Sequence, residues 1–300
     1  MVKDILIKLQ QGDSKALARS VSLIENEVEG YEEMLQSLPQ HLNKPVIGIT
    51  GPPGAGKSTL VDALIGLLVK EGKKVGVLCV DPSSPFNLGS LLGDRIRMSQ
   101  WYDNPNVFIR SLATRGSLGG LHPKIIEITD LMKAAPFDYI VVETVGVGQS
   151  EVEIAGLADI TVVVVVPEAG DEVQTMKAGL MEIADIFVVN KADRPDADQF
   201  VKNLRLMLAP AFHNRYDEVP VIKTIASQNS GVDELLKEIE RLLKHHHTKD
   251  KKFWLLAERA YQLIQKKKMS SVSKEQLKEK VMELSNNNSF QLYCFIKNYI

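Results

Sequence analysis

A phosphate-binding loop is the feature that most constrains how this chain folds. Residues 51–59, with the sequence GPPGAGKST, follow the β-branched run 46–50 and precede an apolar helical pattern that begins at Leu60. Strand, glycine-rich loop and helix in this order form the Walker A motif, whose backbone N–H groups surround phosphate oxygens at the positive end of the helix. The motif predicts an α/β sheet that binds a nucleotide at the carboxyl end of a strand.

The residue types within this loop indicate separate tasks. The glycines let backbone N–H groups curl around the phosphates, Lys57 supplies a charge to the β- and γ-phosphates, and the Ser58 hydroxyl is placed to ligate Mg²⁺. Thr59 is expected within the following helix. The nucleotide-binding residues predicted here are Gly51, Pro53, Gly54, Ala55, Gly56, Lys57, Ser58 and Thr59.

Short β-branched runs recur along the chain and alternate with helical stretches. The runs are residues 46–50, 74–80, 107–111, 139–143, 160–166, 186–190 and 221–225. This alternation predicts βα units and an α/β fold with a doubly wound, mostly parallel sheet. We expect three parts, with a polar linker near residues 245–252: an N-terminal helical extension (1–43), a P-loop nucleotide-binding domain (44–245) and a C-terminal helical extension (246–300).

Charge and hydropathy argue against several partners. Lys and Arg total 36 while Asp and Glu total 38, so no global field favours nucleic acid or an anionic membrane. The most apolar run, 160–166, is too short to cross a bilayer, and the first residues lack the pattern of a signal peptide. The two cysteines, Cys79 and Cys294, do not suggest a disulfide framework. We expect a cytoplasmic protein that binds neither nucleic acid nor membrane.

A second motif predicts the base. Asn190, Lys191, Ala192 and Asp193 form an N-K-x-D sequence directly after a predicted strand. A carboxylate at Asp193 can accept hydrogen bonds from the N1–H and the 2-amino group of guanine, whereas adenine has no donors there. Because an unmatched buried polar group costs more than a lost bond, we expect a preference for GTP over ATP of at least about a hundredfold.

Three carboxylates lie at or just beyond predicted strand ends, where an α/β sheet gathers its ligands. They are Asp81, Asp94 and Glu143, and with Ser58 they form the predicted Mg²⁺ site. Mg²⁺ usually takes one or two carboxylates in addition to phosphates and waters, so the three are not all direct ligands at once. The sequence does not decide among them.

Two segments carry candidates for action on the γ-phosphate. Glu143 and Gly146 stand where a G protein usually has Asp-x-x-Gly, whose glycine N–H reaches the γ-phosphate. Two interpretations are open for Gln149, which orients the attacking water or is a polar loop residue without catalytic duty. Lys177 likewise either offsets transition-state charge or is a solvated helical lysine.

Together these motifs resemble the methylmalonyl-CoA-mutase-associated G-protein chaperones, the ArgK/MeaB family. The most specific matches are the runs 80–84 (VDPSS) and 143–151 (ETVGVGQSE), and further matches cover residues 51–59, 93–98, 170–172 and 190–193. The resemblance implies a homodimeric GTPase that loads, protects or reactivates an adenosylcobalamin-dependent acyl-CoA mutase, with GTP hydrolysis gating cofactor delivery. It also implies that Ser58, Asp81, Asp94 and Glu143 surround Mg²⁺.

The resemblance carries two further implications and one departure. Residues 170–177, including Lys177, match a switch that senses the partner, and the helical extensions match dimerisation elements. Where the family commonly has Thr-Ser-Ala after the last strand, this chain has Thr224, Ile225 and Ala226. The backbone N–H of Ala226 is still expected to reach guanine O6.

Two alternative functions fit the residues less well than this interpretation. A nickel-insertion chaperone of the hydrogenase or urease maturation GTPases needs Cys and His near the nucleotide, but Cys79 lies in a predicted strand and His122 has no Cys beside it. An ATP-dependent kinase of a transport system is disfavoured by the N-K-x-D sequence.

Overall fold

The computed structural model describes residues 2–39, 43–81, 98–114, 121–144, 150–167, 178–208, 219–245, 249–287 and 289–299. The chain divides into two compact units, Met1–Lys249 and Asp250–Ile300. The first unit contains a sheet and its covering helices, and the second is helical. The three-part division at residues 43 and 245 stays a prediction.

The described part of the first unit contains nine α-helices and seven strands. The helices are α1 (Val2–Gln10), α2 (Ser14–Glu25), α3 (Tyr31–Gln36), α4 (Lys57–Lys70), α5 (Ile125–Lys133), α6 (Ser150–Leu157), α7 (Ala178–Ile183), α8 (Ala197–Leu208) and α9 (Val232–His245). The strands are β1 (Val46–Thr50), β2 (Val75–Asp81), β3 (Val107–Ala113), β4 (Tyr139–Glu143), β5 (Ile160–Val165), β6 (Ile186–Val189) and β7 (Val221–Lys223). Short 3₁₀ helices cover Ser99–Trp101 and Ala226–Gln228.

The seven strands form one sheet in the order β3-β2-β4-β1-β5-β6-β7, and every pair is parallel. The predicted doubly wound α/β fold is confirmed. The observed strand ends differ from the predicted ones by at most two residues; β3 continues to Ala113 and β7 ends at Lys223. With β1 between β4 and β5, the phosphate-binding loop leaves the middle of the sheet at its carboxyl edge.

Helices cover both faces of the sheet, and this explains why every residue of β1, β4, β5 and β6 is buried. Helices α4 and α9 pack on one face, against residues such as Ile47 and Val141. On the other face, α5 and α6 share a core with α1–α3, where Leu9, Val21 and Met34 are fully buried. The N-terminal helices thus belong to the same apolar core as the sheet.

Three aspartates link neighbouring strands at the amino edge of the sheet, where the strands begin. The backbone N–H of Asp159, just before β5, donates to the Val46 carbonyl (2.8 Å), and its carboxylate accepts from the Val46 N–H (2.8 Å). Two other aspartates form the same paired contact: Asp138 with Lys74 before β4, and Asp185 with Thr161 before β6. Each aspartate binds the residue that faces it on the neighbouring strand, which fixes the register there.

The second unit contains α10 (Lys249–Met269, all but its first residue), α11 (Lys274–Asn286) and α12 (Leu292–Ile296). The predicted linker over 249–252 is wrong, because α10 begins at Lys249. No residue of α11 is buried, while Phe295 of α12 is buried beside the rings of Phe290 and Tyr299. Large apolar side chains remain exposed on these helices, among them Phe253, Tyr261, Ile264 and Tyr293. No helix within the described ranges is long and apolar enough to cross a membrane.

Candidate nucleotide-binding site

The loop between β1 and α4 needs glycine at two positions. Gly51 has a φ of 140°, and a Cβ atom there would collide with the carbonyl oxygen of Val164 on β5. Gly56, the N-cap of α4, has a φ of 86°, and a Cβ atom there would collide with the side-chain amide of Asn190. Left-handed backbone and close neighbours both favour glycine. The loop is therefore shaped by β5 and by the loop after β6.

Lys57 is the first residue of α4 and turns its ammonium group toward the loop. Its Nζ donates to the carbonyl oxygens of Gly51 (2.8 Å) and Pro52 (3.0 Å), and the residue is 8% exposed. The predicted phosphate-binding lysine thus already lies against the loop. Ala55 is buried in this loop, Pro53 and Gly54 are exposed, and Thr59 lies in α4 as predicted.

Ser58 and Glu143 meet at the ends of α4 and β4. The Ser58 hydroxyl donates to Glu143 Oε1 at 2.6 Å, and both residues are buried. Next to them, the Thr144 hydroxyl donates to the Thr50 hydroxyl at 2.9 Å. The structure thus brings together two of the four predicted metal ligands. A hydroxyl and a carboxylate are hard oxygen donors of the kind that Mg²⁺ prefers.

Asn190 joins three segments at the other side of the loop. Its Nδ2 donates to the carbonyl oxygen of Ala55 (2.9 Å), while its Oδ1 accepts from the hydroxyl of Thr224 and the backbone N–H of Ala226 (3.1 Å each). The side chain is buried. Lys191 adds a bond from its Nζ to the carbonyl oxygen of Gly54 (2.9 Å). The N-K-x-D sequence therefore connects the phosphate-binding loop to the loop after β7.

Asp193 is exposed, whereas the backbone beside it is fixed by a hydrogen bond. The Ala192 N–H donates to the carbonyl oxygen of Thr224 at 3.0 Å, and Lys191 adopts a left-handed φ of 56°. This turn presents the Asp193 carboxylate to solvent, where a ligand can reach it.

The remaining predicted residues lie at the same edge or outside the described part. Asp81 is the last residue of β2. Cys79 of the same strand pairs with Glu143 of β4, so the Asp81 backbone lies two residues beyond the level of Glu143. Asp94, Gly146, Gln149 and Lys177 lie outside the described residues.

Sequence analysis missed the threonines at this edge. Thr50 ends β1, Thr144 follows β4 and Thr224 follows β7, and all three are buried and bonded to one another or to Asn190. The signal was present in the sequence, since a threonine stands at the carboxyl end of each of these strands.

A parallel sheet, a Walker A loop after a central strand and an N-K-x-D loop bonded to it define a P-loop GTPase domain. The family model of the methylmalonyl Co-A mutase-associated GTPase MeaB matches residues 17–286, and the chain belongs to this family. This agrees with the resemblance inferred from the motifs.

Individual relatives agree with this assignment. A protein of Pyrococcus abyssi is 49% identical over 247 residues, which cover 80% of this chain and 75% of the relative. A Geobacillus kaustophilus protein named fused isobutyryl-CoA mutase is 37% identical over 244 residues, or 76% of this chain and 22% of that protein. A crystal structure described as LAO/AO transport system kinase has a TM-score of 0.68 and 26% identity, covering 99% of this chain and 96% of that one.

Proposed function

We propose that this member of the GTPase family converts GTP to GDP and phosphate with Mg²⁺, and that it acts as a chaperone for an adenosylcobalamin-dependent acyl-CoA mutase. The observation that carries the hydrolytic part is the set of bonds that joins the two motifs: Asn190 to Ala55 and Lys191 to Gly54. A site for phosphates and a site for a base are thereby held in one rigid arrangement.

Guanine recognition is assigned to Asp193 and Ala226. The exposed carboxylate of Asp193 accepts from guanine N1–H and the 2-amino group, and a charge-assisted pair of this kind contributes about 1.5–3 kcal/mol per bond. The Ala226 N–H now donates to Asn190 Oδ1. When guanine O6 replaces this acceptor, Asn190 keeps its bonds to Ala55 and Thr224.

Phosphate binding is assigned to the loop 51–59 and to Lys57. Exchange of the Gly51 and Pro52 carbonyls for phosphate oxygens replaces neutral acceptors by charged ones, which strengthens the hydrogen bonds of the Lys57 ammonium group. The positive end of α4 adds to this attraction.

Ser58 and Glu143 are the described residues that would hold Mg²⁺, with Asp81 and Asp94 as further candidates. The bound ion would offset the negative charge of the β- and γ-phosphates. The burial of both Ser58 and Glu143 supports this assignment, because an oxygen pair shielded from water interacts strongly with a cation.

Three residues outside the described part complete the proposal. The Gly146 N–H binds the γ-phosphate, Gln149 orients the attacking water, and Lys177 offsets charge in the transition state once the partner has docked. Glu143 positions this group from the end of β4.

The partner is proposed from the family and from one relative. The family's description contains methylmalonyl Co-A mutase, and the fused isobutyryl-CoA mutase of Geobacillus kaustophilus includes a stretch similar to this chain. The exposed apolar side chains of α10 and α12 support a homodimer formed through the second unit. We further propose a cytoplasmic location without nucleic-acid or membrane binding, in line with the balanced charge.

A GTPase assay with and without a purified adenosylcobalamin-dependent mutase from the same genome tests the chaperone role. We expect slow turnover alone and turnover faster by orders of magnitude with the mutase, as trans-acting groups achieve in other GTPases. Lys177→Ala should leave basal turnover nearly intact and remove most of the stimulation. Failure of the mutase to stimulate the wild type would contradict the coupling; unchanged stimulation of the variant would contradict the role of Lys177.

A further inference from the structure

Two buried threonines stand at the carboxyl ends of two neighbouring strands in the middle of the sheet. Thr50 is the last residue of β1, Thr144 follows β4, and the Thr144 hydroxyl donates to the Thr50 hydroxyl at 2.9 Å. The two residues are 0% and 1% exposed, so water does not compete for this bond. We call Thr50 and Thr144 the threonine pair. Removal of either hydroxyl would leave the other buried without this bond, which makes the contact specific to two hydroxyl groups.

The threonine pair joins the two segments that carry the proposed phosphate and metal ligands. Thr50 precedes Gly51, the first residue of the phosphate-binding loop, and Thr144 follows Glu143. The Thr144 backbone N–H also donates to the Ile49 carbonyl oxygen at 3.0 Å, one step beyond the pairing of Ile49 with Glu143. Each threonine is therefore one peptide bond away from a residue of the proposed site.

The end of β4 is fixed from both faces of the sheet. Successive residues of a strand point to opposite faces. Glu143 points to the face covered by α4, where its carboxylate accepts the Ser58 hydroxyl at 2.6 Å. Thr50 shares the other face of β1 with Gly48, where an added Cβ atom would collide with α6, and the Thr144 hydroxyl reaches Thr50 there. One side-chain bond on each face thus limits the rotation of the backbone that carries Glu143.

We propose that the threonine pair positions Glu143 relative to the phosphate-binding loop. Mg²⁺ demands nearly ideal octahedral geometry, so a cation shared by phosphates on the loop and by Glu143 needs a fixed separation between the two. Thr50 and Thr144 are positioning residues, and neither touches nucleotide or metal in this proposal. The inference rests on the proposed magnesium-dependent hydrolysis of GTP, and it gives a role to two threonines for which the sequence suggested none.

Binding of Mn²⁺ to the GDP complex tests the metal site without relying on turnover. Mn²⁺ prefers the same oxygen ligands as Mg²⁺, and electron paramagnetic resonance detects the free ion. Thr144→Val keeps the shape of the side chain and removes the hydroxyl, so it should weaken Mn²⁺ binding about tenfold, as loss of a group that orients a metal ligand does. Thr50→Val removes the same bond from the other side and should give a similar loss. Either variant carries the test if the other does not fold.

A serine variant and the double valine variant separate positioning from packing. Thr144→Ser keeps the hydroxyl and should bind Mn²⁺ within about twofold of the wild type. The double variant Thr50→Val/Thr144→Val leaves neither hydroxyl unmatched, so its melting temperature should recover relative to the single variants. Its Mn²⁺ binding should stay about tenfold weaker, because the hydrogen bond is still absent. Recovery of Mn²⁺ binding together with stability would overturn the positioning role, and so would unchanged binding in all the valine variants.

A matched control comes from the other end of β4. The Tyr139 hydroxyl donates to Glu240 on α9 at 3.0 Å, and Tyr139→Phe removes this bond with little change of shape. We expect stability to fall, while Mn²⁺ binding stays within about twofold of the wild type. A loss of binding as large as that of Thr144→Val would mean that general loosening of β4 affects the metal, and it would overturn the specific role of the threonine pair.

Magnesium titration of GTP hydrolysis extends the test to activity. Thr144→Val should raise the Mg²⁺ concentration for half-maximal turnover about tenfold, while turnover at saturating Mg²⁺ stays within a few-fold of the wild type. A loss of turnover that excess Mg²⁺ does not restore would contradict a role limited to the metal site. Failure of the wild-type GDP complex to bind Mn²⁺, or of the wild type to hydrolyse GTP with Mg²⁺, would instead reject the proposed function, because no variant enters that comparison.

Discussion

The two edges of the sheet hold their strands by different means. At the amino edge, Asp138, Asp159 and Asp185 each make paired bonds to the residue that faces them. At the carboxyl edge, the bonds run between loops and use side chains that we propose to bind nucleotide or cation, such as Lys57 and Ser58. The bonds at the amino edge join the strands directly, whereas a bound nucleotide or cation would replace bonds at the carboxyl edge under the proposed function. Substitutions at the amino edge should therefore affect stability, and substitutions at the carboxyl edge should affect chemistry.

The largest effect is expected from the phosphate contacts. Lys57→Ala and Ser58→Ala should each reduce GTP turnover by at least about a thousandfold, because each removes a group that acts on transition-state charge. The free energy of unfolding should change little, since both side chains bind polar groups and not the apolar core. Turnover is measured at saturating GTP and Mg²⁺, with circular dichroism as the control for folding. Turnover within a few-fold of the wild type in either variant would reject the site.

The second-largest effect is expected for recognition of the guanine base. Asp193→Asn should lower the affinity for GTP by about a hundredfold and favour xanthine nucleotides, whose O2 accepts a bond where the amino group of guanine donates one. Calorimetric titration with GTP, ATP and XTP measures the three affinities. Equal affinities of the wild-type protein for GTP and ATP would contradict the assignment of Asp193.

Substitution at the amino edge should lower stability and leave GTP turnover nearly unchanged. Asp159→Ala leaves the Val46 N–H without its carboxylate and should cost about 1–3 kcal/mol of the free energy of unfolding. For a unit of this size, the melting temperature falls by roughly 2–4 °C per kcal/mol. GTP turnover below the melting transition should stay close to that of the wild type.

Asp233→Ala is the matched control for this effect. Asp233 is exposed on α9, where its carboxylate lies 3.6 Å from the Lys237 ammonium group, and such exposed pairs contribute less than about 1 kcal/mol. A loss of turnover in Asp159→Ala without a loss of stability would contradict the division of labour between the edges.

The smallest effect is expected for the stability of the folded protein in alkaline solution. Burial, and then the bond to Glu240, raise the pKa of the Tyr139 phenol above its ordinary value, so the folded state holds this proton more tightly than the unfolded state. The tighter binding of this proton stabilises the folded state fully below about pH 10, and this stabilisation declines as the pH rises further. Tyr139→Phe should cost about 0.5–1.5 kcal/mol at neutral pH and weaken this decline. Urea unfolding between pH 7 and 11 tests it, and a variant with the wild-type slope above pH 10 would disprove the linkage.

The sequence predicted those features that depend on neighbouring residues. The Walker A and N-K-x-D loops and the strands before them follow from local patterns, and the parallel sheet explains why both loops lie at one edge. The sequence placed Ser58 in one predicted site with three carboxylates, but that Glu143 is bonded to Ser58, 85 residues away, is seen only when β1 and β4 lie side by side. The bonds from Gln100 and Trp101 to Asp62 were missed for the same reason, since Gln100 and Trp101 form no recognisable motif.

One error and one omission have local physical causes. Lysines near residue 250 suggested a solvated linker, but lysine is a good helix former and α10 begins at Lys249. The paired contacts of Asp138, Asp159 and Asp185 were not predicted, because an aspartate that precedes a strand has the same local pattern whether or not it reaches the next strand.

The core shared by the N-terminal helices and the sheet has a consequence for synthesis on the ribosome. Leu9, Val21 and Met34 emerge early, yet residues they share this core with, such as Ile140 and Val142, belong to β4 and follow about a hundred residues later. At typical bacterial or eukaryotic translation speeds this interval lasts roughly 5–20 s, far longer than a helix needs to form. During this interval these helices lack their β4 partners, and apolar surface exposed in this way is prone to aggregate and to bind chaperones.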